Sequence, residues 1–307
     1  MQSTEIRIGT RGSPLALVQA HETRRRLAAA LSIPEAAIAI VAIRTSGDRI
    51  TDRPLSEVGG KGLFTREIDE ALLGGSIDIA VHSAKDLPTV LPDGIVIAAT
   101  LPREDTRDAL LSPRAARLED LPPGAVLGTS SLRRRAMALR LRPDLRVVDF
   151  RGNVDTRIRK LEDGVADATI LAMAGLNRLG LAARAAGAIE HAGWLPAVAQ
   201  GTIAIAARTD DETSRARLAA IDHPSTSVTL AAERAFLTVL DGSCRTPIGG
   251  LATLEGDALA LRGVIVRPDG SEAHAAERRG AAEDADRIGR EVGAELHARG
   301  GPGFFAE

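Results

Sequence analysis

The sequence predicts an α/β protein of two βα domains followed by a small α+β domain. Three observations predict it. Short β-like runs alternate with helical periods through the first two-thirds of the chain, and the alternation restarts after 94–100. Composition shifts near residue 222, where a helix leads into alternating strands and a last helix. At 307 residues the chain also exceeds the size at which one hydrophobic core keeps growing.

Each element follows from its residues. "EIRIGT" (5–10) reads as a strand, and "SPLALVQAHETRRRLAAAL" (13–31) as an amphipathic helix with Ser13 placed to cap it and Pro14 in its first turn. "AIAIVAI" (37–43) is a second strand. "FTREIDEALLGG" (64–75) is a helix ending in glycines, and "IDIAVHS" (77–83) a third strand. After "GIVIAAT" (94–100), "AVLGTS" (125–130) leads into the helix 131–141. "LRVVDF" (145–150) leads into 153–164, and "ATILAMAG" (168–175) into more helix. Strands joined by helices imply parallel sheets with functional residues at strand ends. The strand in "AVAQGTIAIAARTDD" (197–211) is placed to return the chain to the first sheet. The expected domains are therefore 1–101 with 200–219, then 102–199, then 220–307. Residues 44–62 carry four glycines and no apolar period, the composition of either a disordered loop or a lid over a site.

Composition excludes several classes. Net charge is -2, hydrophobic content 44% and charged content 26%, as in ordinary globular enzymes. No apolar run reaches membrane-spanning length, so no membrane association is expected. The opening "MQSTEIRIGT" runs straight into a strand pattern rather than an export signal, and one cysteine forms no disulfide within the chain; the cytoplasm is the expected compartment. Aromatics are 2% with no tyrosine, which disfavours base stacking and hence nucleic acid as a partner. The six histidines are scattered without metal-ligand spacing, so no metal is expected.

The chemistry concentrates in a few stretches. "HSAKDLP" (82–88) sets Ser83, Lys85 and Asp86 at a strand's carboxyl end. Lys85 and Asp86 suit either a solvated pair or an anion binder beside a proton-transfer group. His82 reads as a structural histidine. In "GTSSLRRR" (128–135), Thr129, Ser130 and Ser131 run into a helix whose first turn is basic. Cations there oppose the helix dipole and point to an anionic ligand. From Arg133 to Lys160 there are ten basic residues against three acidic ones, and "FRGNVDTRIRK" (150–160) adds Arg151 and Arg157. Arginine suits planar carboxylates, which it grips bidentately. In "DGSCRTPIGG" (241–250) Cys244 stands beside Arg245, a cation that favours the nucleophilic thiolate.

"RIGTRGSPLALVQA", "VHSAKDLP", "GTSSLRRR", "FRGNVDTR", "LAMAGLNRLG" and "DGSCRTPIGG" resemble, in order and spacing, the porphobilinogen deaminase (hydroxymethylbilane synthase) family over about residues 6–250. Val18 and Ala84 depart from the family's usual tryptophan and methionine, which touches packing rather than chemistry. The resemblance implies two βα domains similar to type II periplasmic binding proteins, flanking a cleft, and a third domain carrying the cofactor cysteine. It implies a monomer that takes porphobilinogen as its small-molecule substrate. Four units would be joined head to tail, with release of ammonia, on a dipyrromethane cofactor held by a thioether to Cys244. It implies Asp86 as the catalytic carboxylate. Cofactor carboxylates would be held by Lys85, Arg133, Arg134 and Arg157, with Ser83, Thr129, Ser130, Ser131 and Asp86 as further contacts. Substrate would meet Arg11, Gln19, Phe64, Arg151, Arg157, Arg178 and Gln200, with Lys61 and Phe64 at the end of the lid. Arg135, Arg140 and Arg159 are left as surface charge. Two rival readings are a non-enzymatic anion carrier and a nucleic-acid binder. The placement of Cys244 counts against the first, and near-zero net charge against the second.

Overall fold

The computed structural model describes residues 6–49, 62–240 and 246–305. Most of the expected lid, Lys61 included, and residues 241–245 with Cys244 lie outside the described residues. In chain order the strands are β1 (Ile6–Arg11), β2 (Ile38–Ile43), β3 (Ile79–Ser83), β4 (Ile95–Thr100), β5 (Asp108–Leu111), β6 (Val126–Gly128), β7 (Arg146–Val148), β8 (Ala168–Ala172), β9 (Gly187–Ile189), β10 (Ile203–Arg208), β11 (Ile248–Glu255), β12 (Ala258–Val266) and β13 (Ala273–Ala281). The helices are α1 (Pro14–Leu31), α2 (Ser46–Arg49), α3 (Arg66–Leu73), α4 (Leu132–Leu141), α5 (Val154–Glu162), α6 (Met173–Arg178), α7 (Glu212–Ala219), α8 (Pro224–Val239) and α9 (Ala285–Gly300).

The chain packs as two compact units, Met1–Glu104 with Thr202–Ser227 and Asp105–Gly201 with Val228–Glu307. In the first, the sheet order is β2-β1-β3-β10-β4. The alternating Ile6 and Ile8 of β1 enter a core with Leu27 of α1, Ile79, Val81, Ile203 and Ile205. The opposite face buries Ile68 and Leu72 of α3 against Ile77 and Ala80. Helix α1 starts as its sequence requires: Ser13 accepts from the Ala16 amide and Pro14 opens the first turn.

The second unit repeats the plan with β7-β6-β8-β5-β9. Leu127, Ala168 and Ile170 pack with Ala136, Met137 and Trp194 on one face, and Leu111, Ile158, Leu171 and Leu176 close the other. Its third sheet, β11-β12-β13, is an antiparallel meander. Helices α8 and α9 approach so closely that a Cβ on Gly289 would lie 2.3 Å from the Ala232 carbonyl.

The parallel pairing expected of the βα alternation is present, with reversed strands added in both five-stranded sheets. β1 runs parallel to β2 and β3, and β6 to β7 and β8, but β10 is antiparallel to β3 and β4, and β5 to β8 and β9. Both reversed strands enter their sheet without a helical crossover from a neighbouring strand, so nothing constrains them to run parallel. The return of the 197–211 segment to the first sheet is as expected. In both five-stranded sheets the parallel strands carry the motifs, and their carboxyl ends gather the polar residues on one edge.

Candidate active site

At the carboxyl end of β1 and β3 the first unit forms a small cavity of about 50 Å³. Its walls include Arg11, Gln19, Phe64, His82, Ser83 and Asp86. The Arg11 guanidinium lies 4.3 Å from the Phe64 ring centroid and 3.9 Å from the Asp86 carboxylate. A cation over an aromatic face is attracted to it, so Phe64 and Asp86 together fix where Arg11 stands. Gln19, buried on α1, donates to the Ser83 hydroxyl at 2.8 Å. Lys85 and Asp86 follow on the single turn Ala84–Asp86. Asp86 is exposed and Lys85 half-buried, and Lys85 is not among the cavity's walls.

His82, read from the sequence as a structural histidine, lies at the end of β3 among the cavity's walls. It is buried, and desolvation, followed by the nearby Arg11 charge, pushes its pKa down to about 4. Its Nε2 has no hydrogen-bond partner among the described residues.

In the second unit the strand-to-helix passage after β6 behaves differently from its sequence expectation. Ser131 caps α4, accepting from the Arg134 amide at 3.4 Å, and Ser131 N–H donates to the Thr129 hydroxyl at 3.2 Å. Ser130 accepts from the Phe150 amide at 3.0 Å. Arg133 and Arg134, expected to face a ligand, turn inward and are both buried. The anion that the basic first turn calls for is Asp108, the first residue of β5 and fully buried.

Asp108 Oδ2 accepts from Arg133 Nη2 at 2.8 Å and from the Trp194 indole at 2.8 Å. Its Oδ1 accepts from Arg134 Nη2 at 2.7 Å and from Gln200 Nε2 at 3.0 Å. Burial alone would raise the Asp108 carboxyl. The Arg133 and Arg134 charges, then hydrogen bonds from Arg134 and Trp194, override it and hold the group well below the usual carboxylate range. Arg133 also donates to the Leu195 carbonyl and Arg134 to that of Ile170. Sequence reasoning missed Asp108. Its only signal was an acidic residue between an arginine and an apolar run in "TRDALL", too weak to single out.

Two guanidiniums against one carboxylate leave a net positive charge, and Arg133 Nε is buried with no hydrogen-bond partner among the described residues. Gln200 further donates to the Thr106 carbonyl at 2.8 Å, and Arg178 to the Gly201 carbonyl at 2.7 Å. One connected group thus holds Arg133, Arg134, Gln200 and, through the next residue, Arg178. Arg151 and Arg157 sit apart from it, at the end of β7 and the start of α5. There Arg157 donates to the Gly152 carbonyl at 2.9 Å, and Lys160 to that of Arg151.

Comparison with known proteins bears on this arrangement. The family model "Porphobilinogen deaminase, dipyromethane cofactor binding domain" matches residues 6–216, and "Porphobilinogen deaminase, C-terminal domain" matches 228–298. A curated porphobilinogen deaminase of Paracoccus denitrificans is 59% identical over 300 residues, covering 98% of this chain and 96% of that protein. Another from Nitrobacter winogradskyi is 58% identical over 298 residues, covering 97% and 94%. Among solved structures, a nutrient-binding protein of Burkholderia cenocepacia bound to methionine overlays with a TM-score of 0.44 and 16% identity, covering 72% of this chain and 93% of that one. A periplasmic substrate-binding protein of Coxiella burnetii overlays with a TM-score of 0.43 and 18% identity, covering 72% and 94%. Matched by family models along most of its length and by curated relatives at nearly three residues in five, the chain belongs to the porphobilinogen deaminase family, enzymes of tetrapyrrole synthesis that carry a dipyrromethane cofactor.

Proposed function

We propose that the residues gathered at the two strand edges, with the cysteine turn, divide the family's reaction among them. That reaction joins four porphobilinogens head to tail, releases ammonia and yields the linear tetrapyrrole 1-hydroxymethylbilane. The bound dipyrromethane supplies the pyrrole carbon on which the chain of rings is started. Cys244 is the residue to hold it, since Arg245 alongside favours the thiolate. The residues of the second unit fit such a group. Each of its rings carries carboxylates, and the second cluster sets a net positive charge beneath the hydroxyl-bearing stretch 129–131.

Lys85, Arg133, Arg134 and Arg157, with Ser83, Thr129, Ser130 and Ser131, are assigned to the cofactor's carboxylates. Arg11, Gln19, Phe64, Arg151, Arg157, Arg178 and Gln200 are assigned to incoming substrate. Losing ammonia leaves a cation delocalised over the porphobilinogen ring. Asp86 stands at the mouth of the cavity, steered by Arg11 at 3.9 Å; its carboxylate balances that cation and takes up a proton from the newly joined ring. This pairing at the strand edge is the observation that carries the assignment.

The three sheets support the three-domain division 1–101 with 200–219, 102–199 and 220–307. Among the described residues no helix is long and apolar enough to cross a membrane. We read the enzyme as a cytoplasmic monomer that meets its substrate as a free small molecule and binds no nucleic acid. Replacing Asp86 with Ala should leave the fold intact and lower turnover by roughly 10²–10⁴-fold. The check is steady-state kinetics alongside far-ultraviolet circular dichroism; unchanged turnover would remove Asp86 from the chemistry.

A further inference from the structure

We infer that Glu233, a buried residue of α8 far in sequence from every motif above, is a positioning residue for Gln200 and Arg178. The inference rests on the functional reading just given. Glu233 has no exposed surface, and its two carboxylate oxygens accept from two backbone amides of different segments. Oε2 accepts from the Ala199 N–H at 2.5 Å, and Oε1 from the Ala252 N–H on β11 at 2.7 Å. Ala199 is the unusual partner. Its φ is +64°, and among the described residues only Ser32 is another non-glycine with positive φ. A side chain is strained in that region, and the conformation persists only where surrounding contacts hold it.

The turn built around Ala199 leads straight into the site. Gln200 N–H closes it by donating to the Ala197 carbonyl at 3.0 Å, and Gly250 N–H ties its approach by donating to Pro196 at 3.0 Å. The very next side chain, Gln200, reaches Asp108 and the 106 carbonyl. The carbonyl after that, Gly201, receives Arg178 at 2.7 Å. A charged acceptor makes a stronger hydrogen bond than a neutral one, so the carboxylate of α8 is what keeps an alanine where glycine would sit unaided. Without it the turn relaxes, and the orientation of both Gln200 and Arg178 relaxes with it.

The test uses the full-length enzyme. In Glu233→Gln one acceptor oxygen is replaced by an NH₂ group that faces a backbone N–H. We expect faster amide hydrogen exchange at Ala199 and Gln200, a tenfold or larger loss of kcat/KM for porphobilinogen carried mainly by KM, and stalled enzyme bearing incomplete chains in intact-mass spectra. Ala199→Gly alone should keep wild-type kinetics. Combined with Glu233→Gln it should recover at least a third of the lost kcat/KM, because glycine holds the turn without the carboxylate. A folded Glu233→Gln enzyme within twofold of wild type would overturn the inference. So would a double variant no better than Glu233→Gln alone, whether or not the single variant folds. A wild-type protein without turnover would instead refute the functional reading, while the exchange data would still report on the turn.

Discussion

At Asp108 one buried carboxylate accepts from Arg133, Arg134, Trp194 and Gln200, and it is the counter-charge that lets two arginines stay inside the protein. Replacing it with Asn keeps the shape and removes the charge. Two buried guanidiniums are then left without compensation, which costs about 3–5 kcal/mol. Urea denaturation of Asp108→Asn should show a loss of that size, and a loss under about 1 kcal/mol would show that the pair is not held by this charge. Arg133 and Arg134 stood out in the sequence because they fall in a short basic stretch where a strand passes into a helix, whereas Gln200 entered only through the family resemblance. Their common partner did not stand out. It lies 25, 26 and 92 residues away from them, and only the fold of β5 between β8 and β9 brings it near.

Elements that announce themselves locally were the readable ones. Helix α1 has a capping serine, a proline in its first turn and an apolar face, and it begins and ends within a residue of its predicted bounds. Strands β5 and β9 have four and three residues and no helix leading to them in a regular series, so no period marks them. The reversed direction of β10 was equally hidden, because pairing direction is fixed by neighbours remote in sequence. Close approach between elements also leaves a trace at single glycines. A Cβ on Gly128, at the end of β6, would lie 2.5 Å from the Phe150 ring, and Phe150 donates its amide to Ser130 in the same passage. Gly128→Ala therefore forces the ring or the strand to shift, destabilising the protein by roughly 1–3 kcal/mol. Its midpoint in a thermal or urea melt should fall accordingly; an unchanged midpoint would mean that the passage is looser than the packing indicates.

For the molecule as a whole, a net charge of -2 conceals a strongly divided surface and interior. Arginines outnumber lysines by 36 to 3, and Arg133 and Arg134 share one buried carboxylate, Asp108, inside the second unit while Arg11 borders the cavity of the first. Each unit presents motif residues at the carboxyl edge of its own five-stranded sheet, and the two sheets share one strand order. The central claim is that this protein carries a dipyrromethane on Cys244. Intact-mass spectrometry of the purified enzyme and of Cys244→Ala tests it most directly. The wild-type mass should exceed that of the 307-residue chain by one dipyrromethane, and the variant should sit at the bare chain mass without turnover. An active variant at bare mass, or an active wild-type enzyme with no added mass, would contradict the claim.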